Sequence, residues 1–322
     1  MLFGLRETFV YTRCGSCGVM QIDEVPADLV RHYPASYYAG AGQPAPFEHF
    51  GGIAGLADRA RKQQQLFGGS TLPARGLRRW MPATTVDGRR NAAFVERAGL
   101  RSFSDPILDV GCGRIPGHLL NLRRLGFDQL TGVDPFLEGD RTVEGITLRR
   151  QSIHEVAGAF QLVTMHHAFE HVADPLETMV AARGLLRTGG VFLVRTPVMG
   201  TWFWGTYGPS WWELDAPRHL FIHTVASLNR LAASAGLELF DTVWDSTFVE
   251  MIASDQISRD IAWREPASWG EHPDAEASAG LYDIAALTTR TAELNASGNS
   301  GRAGFYFRVA EPEVGHGAGQ AP

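Results

Sequence analysis

Lysine is nearly absent from this sequence of 322 residues. Lys62 is the only lysine, and 29 basic residues stand against 35 acidic ones, which gives a formal net charge of −6. Proteins that bind nucleic acid through its phosphates usually carry a basic field. The charge balance therefore disfavours general nucleic-acid binding, and we expect a small molecule as the partner.

Long apolar runs are also missing. The most apolar stretch, residues 190–205, is interrupted by Arg195 and Pro197, and it falls short of the roughly 20 apolar residues that cross a bilayer. The first residues, MLFGLRETFVYTR, lack the basic start and apolar stretch of a signal peptide. We expect no membrane partner and a cytoplasmic location.

Cysteine is scarce, with three in the chain, which is too few for a disulfide framework. Cys14-Gly-Ser-Cys17-Gly has the spacing of one half of a tetrahedral zinc site, but the second pair is absent. His32 and His49 are the only nearby nitrogen ligands, and Cys112 lies far along the chain. We therefore predict no complete metal site, with a local disulfide or structural packing as the alternatives.

Short apolar segments alternate with longer amphipathic ones from residue 105 onward, which is typical of strands and crossover helices in a parallel sheet. The predicted strands are residues 107–110, 129–133, 146–150, 161–165, 191–196, 237–244 and 305–309. The predicted helices are residues 117–125, 175–186 and 225–235, and an RTGG turn follows at 187–190. If the last strand lies beside the sixth, the sheet has an antiparallel edge and residues 245–300 are an insertion, with helices near 253–262 and 283–294.

The upstream region does not continue this alternation. The Cys pair is followed by the Tyr/Pro-rich run RHYPASYYAG, and a Gly/Pro linker at residues 40–55 precedes arginine-rich segments, predicted as helices, at 56–66 and 74–81. The predicted organisation is an N-terminal accessory segment at 1–95, a main domain at 96–310 and a flexible tail at 311–322.

The stretch ILDVGCGRIPGHLL, residues 107–120, predicts a strand, a glycine turn and a helix. Such a turn places backbone N–H groups and the positive end of the helix dipole beside a ligand. Asp134 follows the second strand, 21 residues after Gly113, where it can accept hydrogen bonds from ribose hydroxyls. On spacing alone, an NAD enzyme and a methyltransferase that uses S-adenosylmethionine both fit.

The residues around the turn separate these two cofactors. A pyrophosphate needs several free backbone amides, whereas Ile115-Pro116 removes one donor and adds bulk. Asp109 would repel a phosphate but attract the ammonium group of S-adenosylmethionine. An NAD-dependent oxidoreductase would also lack the Tyr-x-x-x-Lys pair, because Lys62 is the only lysine.

Four further stretches, in order, carry a family resemblance. They are LDVGCG, then LTGVDPF, then FQLVTMHHAFEHVADPLETMVAARGLLRTGGVFLVRTP, then WWELDAPRHLFIHTVASLNRLAASAGLEL. Together they resemble the class I S-adenosylmethionine-dependent methyltransferases of the ubiquinone-biosynthesis-like group, over residues 105–244 with residues 305–309 as the last strand. The resemblance implies an α/β, Rossmann-like sheet of seven strands, mostly parallel with an antiparallel last strand. Relatives often carry a zinc ribbon ahead of this domain, and RCGSCG resembles its second half.

The resemblance also assigns the cofactor-binding residues. Those around the methionine part would be Asp109, Gly111, Cys112 and Gly113. Asp134 would hold the ribose. Gln151 and Ser152 would lie beside the adenine, and Met165 and His166 would line the inner face of the cofactor.

Methyl transfer to a hydroxyl benefits from a base, and histidine is the obvious residue type. His219, in DAPRHLF, is the first candidate because it follows an acidic, aromatic loop. His171, in EHVADP, is the second, although it also resembles a structural residue. His167 and His223 lie in the same predicted loops without a further signal.

The stretch MGTWFWGTYGPSWWELD, residues 199–215, is an aromatic loop expected after the fifth strand. Aromatic faces there could stack on a ring or shield a sulfonium. Trp204, Trp211, Trp212 and Glu213 are the candidate substrate-binding residues, and packing of the loop against the N-terminal segment is the alternative. We therefore expect S-adenosylmethionine-dependent methylation of a small molecule, with oxygen as the methylated atom. The acceptor classes are a sugar, a phenol or quinone-like compound, and a natural-product intermediate. The alternative is a catalytically inactive scaffold of the same fold.

Overall fold

The computed structural model describes residues 6–33, 52–68, 88–263, 265–266, 268–271 and 281–311. The expected helix at 74–81, His49, most of the Tyr/Pro-rich run and nearly all of the tail lie outside these residues. None of the helices within the described ranges is long and apolar enough to cross a bilayer.

Helices and strands alternate through the main part of the chain. The strands are β1 (Tyr11–Arg13), β2 (Met20–Ile22), β3 (Ile107–Val110), β4 (Leu130–Val133), β5 (Arg141–Val143), β6 (Ile146–Arg149), β7 (Phe160–His166), β8 (Leu186–Pro197), β9 (Phe221–Ile222), β10 (Leu237–Trp244) and β11 (Arg302–Val309). The α-helices are α1 (Gly52–Phe67), α2 (Gly88–Arg97), α3 (Gly117–Leu125), α4 (Pro175–Gly184), α5 (Trp202–Tyr207), α6 (Val225–Ser234), α7 (Phe248–Ser258) and α8 (Ile284–Ala296).

The main sheet has the order β10-β11-β8-β7-β3-β4-β6-β5. Strands β8, β7, β3, β4 and β6 are parallel, and β11 is antiparallel to both β8 and β10. This confirms the Rossmann-like α/β class and the antiparallel last strand. The sheet has eight strands instead of the expected seven, because the polar segment RTV forms β5 and turns into β6 through Glu144 and Gly145, both with positive φ.

Several predicted boundaries also shift. The RTGG sequence does not separate a helix from a strand: α4 ends at Gly184, and β8 already begins at Leu186. The register of β8 against β7 changes between Phe160 and Leu162, so the glycines of RTGG lie in an irregular part of β8. Helices α7 and α8 lie between β10 and β11, in the expected insertion, although α7 begins earlier than residue 253.

The two faces of the sheet bury two apolar cores. Along β3, Ile107 belongs to one core and Leu108 to the other, as expected because successive side chains of a strand point to opposite faces. Helices α4 and α6 cover the first face with Met179, Leu228 and other apolar residues. The helices α1, α2 and α3 cover the second face.

The N-terminal hairpin is not separate from this domain. Strand β2 pairs with β1 on one side and with β9 on the other, in a second sheet of three strands. The predicted division at residue 95 falls inside α2, whose Val95 is buried in the same core as β3 and β4. The described part of the N-terminal region is thus packed into the main domain.

Glycine at position 132 is a packing requirement of the central sheet. A Cβ at Gly132 would lie 2.7 Å from Sγ of Cys112 and 2.8 Å from Cδ2 of Leu148, whereas nothing lies within 4 Å of a Cβ at Gly139. We expect Gly132→Ala to lower the free energy of unfolding by about 1–3 kcal/mol through overpacking. The matched Gly139→Ala change should alter it by less than about 0.5 kcal/mol. Chemical denaturation measures both, and equal values would contradict this account of the packing.

Candidate active site

The glycine turn lies at the carboxyl edge of the parallel strands, between β3 and α3. Gly111 and Gly113 both have positive φ. A Cβ at Gly111 would lie 2.5 Å from that of Ala168, whereas a Cβ at Gly113 or Gly117 meets nothing within 4 Å. Pro116 occupies the N-cap of α3, where its missing N–H leaves no hydrogen bond unmade. The turn is therefore closed on the side of β7 and open where a ligand would lie.

Asp109 is buried directly before this turn. Its Oδ1 accepts a 2.7 Å hydrogen bond from the Thr164 hydroxyl, but burial, together with the charge of Asp134, raises its pKa to about 7. A buried carboxylate without a cationic partner is costly. A ligand that brings an ammonium group to this position would stabilise the ionised form.

Asp134 ties the end of β4 to the glycine turn. Its Oδ2 accepts the Gly113 N–H at 3.0 Å, and its Oδ1 accepts the Phe136 N–H at 2.8 Å. A carboxylate has further lone-pair sites for ribose hydroxyls. Phe136, which the sequence analysis missed, is 77% exposed beside this carboxylate. Its position, two residues after Asp134, is the sequence signal that could have identified it.

Two expected cofactor residues have buried side chains. The Cys112 side chain packs against Gly132 and is buried in the core, where burial raises the pKa of its thiol. Met165 is buried in the opposite core. The Cys112 Sγ lies 3.6 Å from the Gly113 carbonyl oxygen, so this side chain packs beneath the turn.

Two more expected residues follow β6. Gln151 is half-buried. The Ser152 hydroxyl donates a 2.8 Å hydrogen bond to Glu155 in a capping box, so this side chain is engaged in its own turn.

His166 does point out of β7, and it has a partner that the sequence analysis missed. Its ring lies 3.9 Å from the ring of His118, in the first turn of α3. Burial lowers the pKa of His118 to about 4 and that of His166 well below its usual range, so both rings are neutral. The Nε2 atoms of both are buried without a hydrogen-bond partner among the described residues, so both are unfulfilled polar groups beside the glycine turn.

The two candidate bases meet around one carboxylate. Glu170, His171 and His219 each offer a ligand atom within 4.8 Å of the others, and they form the only such group of three His, Cys, Asp or Glu side chains found among the described residues. The Oε1 atom of Glu170 is buried without a hydrogen bond. Although burial opposes it, the neighbouring His167, His219 and His171 lower the pKa of Glu170 to about 2, so the carboxylate is ionised.

Backbone carbonyls set the tautomers of both rings. Nδ1 of His171 lies 2.8 Å from the carbonyl oxygen of Arg218, and Nδ1 of His219 lies 2.7 Å from that of Glu213. A carbonyl oxygen only accepts, so each Nδ1 carries a proton, and in the neutral form of either ring the lone pair is on Nε2. Neutral imidazoles held in this way, beside a carboxylate, can accept a proton or bind a divalent metal.

The two histidines differ in access. His171 is half-buried, whereas His219 is almost completely buried, and burial together with His171 lowers the pKa of His219 to about 4. His219, the first candidate from the sequence, is therefore the less accessible ring, and its lowered pKa makes it a poor proton acceptor.

His167 completes this edge and was not singled out by the sequence. It has a φ of +51°, which is strained for a residue with a side chain and is often found at functional sites. Its Nδ1 lies 3.4 Å from Glu170 Oε1, and Arg195 contacts its Nε2. Arg195 is in turn held by Asp245 at 2.5 Å.

The aromatic loop divides into buried and accessible parts. Trp211 is 1% exposed and packs in a third core with Phe203 and Met251, so its assignment to substrate is corrected to packing. Trp212 stacks on Trp263 at 5.0 Å between ring centroids. Trp204 is half-buried against the same core, so Trp204 and Trp212 retain accessible surface.

Glu213 belongs to a buried ion network instead of a free binding surface. Nη1 of Arg302 lies 3.1 Å from Glu213 Oε1 and 3.0 Å from Glu250 Oε1. Burial and the neighbouring Glu250 raise the pKa of Glu213 to about 7. The network joins the aromatic loop to α7 and β11, because these residues come from all three.

The cysteine pair occupies the turn between β1 and β2. Cys14 is exposed, Cys17 is half-buried and Cys112 is in a different core. No third ligand joins Cys14 and Cys17 among the described residues. Both line a cavity of about 730 Å³ with Thr224, Trp244 and Asn299, away from the glycine turn.

Comparison with known proteins agrees with this geometry. The sequence profile of the family described as "Methyltransferase domain" matches residues 77–242, about half of the chain. Two curated relatives named ubiquinone biosynthesis O-methyltransferase are similar: that of Caulobacter vibrioides is 34% identical over 104 residues, and that of Cereibacter sphaeroides is 35% identical over 103. Each match covers 28% of this chain and 40% of the relative.

Two solved structures show a weak likeness to this chain. Geranyl diphosphate C-methyltransferase from Streptomyces coelicolor has a TM-score of 0.42 at 14% identity, over 69% of this chain and 79% of that one. An O-methyltransferase of a Brevibacillus brevis polyketide multienzyme has a TM-score of 0.38 at 11% identity, over 64% and 67%. On the profile match, the chain belongs to the family described as methyltransferase domain, with a Rossmann-like class I fold and S-adenosylmethionine as its cofactor.

Proposed function

We propose that this chain transfers a methyl group from S-adenosylmethionine to a hydroxyl oxygen of a small molecule. The observation that carries the proposal is the cluster of Glu170, His171 and His219, where two imidazoles bind backbone carbonyls through Nδ1 and leave Nε2 for a proton, one strand away from the glycine turn. The names of the two curated relatives support oxygen as the methylated atom. A sugar, a phenol or quinone-like compound and a natural-product intermediate are the proposed acceptor classes.

The cofactor supplies an electrophilic methyl group on a sulfonium, with its own leaving group. The chain has to bind the cofactor, align the acceptor, exclude water and take up the hydroxyl proton. Asp109 would hold the ammonium group and Asp134 the ribose, and the space beside Gly113 is open. The orphaned Nε2 atoms of His118 and His166 offer polar contacts on the same side.

Glu170, His171 and His219 have different proposed roles toward the acceptor. His171 is the more accessible ring, so its Nε2 is the proposed proton acceptor. The ionised Glu170 would stabilise the imidazolium that forms, because its free Oε1 lies within the cluster. His219 would support this arrangement from its buried position.

Binding of S-adenosylhomocysteine tests the cofactor site. We expect Asp134→Ala to weaken binding about tenfold or more, because a hydrogen-bonded carboxylate is worth about 1.5–3 kcal/mol. Asp140→Ala is the control, since Asp140 also accepts a backbone N–H, from Arg150 at 2.8 Å, without facing the turn. Calorimetric titration measures both. Equal affinity of wild type and Asp134→Ala would refute the ribose assignment.

The pKa of Asp109 predicts a pH dependence of the same binding. The pKa of the carboxyl is about 7 without ligand and falls when an ammonium group pairs with it, so binding below pH 7 must release a proton. Affinity should be constant above about pH 8 and weaken as pH falls below 7. Asp109→Asn should bind more weakly and lose this dependence. A wild-type affinity that is flat between pH 5 and 8 would contradict the pairing.

The proposed proton acceptor is tested by His171→Ala. We expect the turnover number with phenolic or sugar acceptors to fall about 10²–10⁴-fold, the usual contribution of a general base, while affinity for S-adenosylhomocysteine stays within about twofold. Exposed His154→Ala is the control. If EDTA abolishes wild-type turnover and Mn²⁺ restores it, the two histidines act as metal ligands instead. Cofactor binding without turnover on any acceptor would favour the inactive scaffold.

A further inference from the structure

The N-terminal hairpin contacts the loop that carries His219. Strand β2 pairs with β9, immediately after this loop, and the Ile22 N–H donates a 3.0 Å hydrogen bond to the Leu220 carbonyl. These backbone hydrogen bonds join the loop to a segment almost 200 positions earlier in the chain.

Two side-chain hydrogen bonds join the N-terminal segment to Arg218 and His219. The Tyr11 hydroxyl donates to the His219 carbonyl at 2.8 Å, and the Arg218 guanidinium donates to the His32 carbonyl at 2.7 Å. Arg218 is also paired with Asp215 within its own loop. The N-terminal segment thus contacts the backbone of His219 and the side chain of Arg218.

The backbone of Arg218 in turn orients His171. The Arg218 carbonyl accepts the Nδ1 proton of His171 at 2.8 Å, and the hydroxyl oxygen of Tyr33 lies 3.3 Å from the same Nδ1. The Arg218 guanidinium also lies 6.0 Å from the centre of the Tyr33 ring. The carbonyl can only accept, so it favours the tautomer with the proton on Nδ1. The Tyr33 oxygen can share that proton as a second acceptor.

We propose that Tyr11 and Tyr33 are positioning residues of the active site. Tyr11 holds the His219 carbonyl, Tyr33 contacts Nδ1 of His171 directly, and together they keep the His171 ring in the orientation that presents the Nε2 lone pair to the acceptor. The N-terminal segment is then a part of the catalytic unit. The importance of this lone pair for the reaction rests on the proposed function, whereas the tautomer itself can be measured without turnover.

Histidine tautomers are read from ¹⁵N chemical shifts, so the test uses the full chain labelled with ¹⁵N-histidine in the presence of EDTA. The signals of His171 are assigned by their loss in His171→Gln. The variants are Tyr11→Phe, Tyr33→Phe and the double variant, in which both rings and their packing are retained. Tyr282→Phe is the matched control, because it removes a 2.7 Å hydroxyl contact to Asp255 away from this site.

We expect wild type and Tyr282→Phe to show His171 with a protonated Nδ1 and an unprotonated Nε2. In the double variant, both shifts should move toward the average of the two tautomers. Turnover should fall roughly 2–10-fold, the value of a lost hydrogen bond, with unchanged affinity for S-adenosylhomocysteine. If the double variant does not fold, Tyr11→Phe alone makes the same test.

The possible results separate this proposal from the proposed function. Unchanged His171 shifts in a folded variant that lacks Tyr11 would overturn the positioning role, whatever happens to turnover. Shifts that move in a protein without methyl transfer would support the positioning role while the proposed function fails. Moved shifts with reduced turnover and intact cofactor binding would support both.

Discussion

The pairing of β3 with β4 on one side and β7 on the other is the constraint on which the rest of the site depends. In this register, Asp109 lies opposite Gly132 and Thr164. Gly132 leaves space for Cys112 beneath the turn, and Thr164 supplies the hydroxyl that Asp109 needs. A shift of one residue in either pairing would turn the side chains to the other face and would remove both contacts at once.

Parallel pairing also places chemically different groups at one edge. Two buried carboxylates show this difference, because Asp109 has a single hydroxyl donor and a raised pKa of about 7, whereas Glu170 is surrounded by imidazoles and has a pKa of about 2. The first environment suits a cationic group of a ligand. The second suits a permanent negative charge that supports an imidazolium. Environment, and not residue type, therefore sets the different pKa values of these two carboxyl groups.

Segments that are distant in the chain meet around the cluster of Glu170, His171 and His219. The N-terminal region contacts Arg218 and His219, and the insertion between β10 and β11 contributes Glu250 and packs Met251 against Trp211. Arg302 then joins Glu213 to Glu250. Buried charges of this kind are stable only with their partners in place, so the loop, the insertion and the last strand depend on one another.

The sequence by itself determined the elements whose signals are local. Helix α3 has the bounds predicted from its glycine turn and apolar spacing, and β10 has the bounds predicted from its apolar pattern and the preceding glycine. Asp109 and Asp134 were candidates because one lies in the strand before that turn and the other directly follows the next strand. These features depend on neighbours within a few residues along the chain, so they can be read from the sequence alone.

Only the tertiary structure decided which side chains are buried and which groups meet. Trp211 and Trp212 are adjacent and identical, yet one is in a core and the other stacks on Trp263 at the side of the loop. The cluster of Glu170, His171 and His219, and its support from Tyr11 and Tyr33, joins segments with no common sequence pattern. Burial and tautomer are set by contacts across the fold, so no local pattern could have specified them.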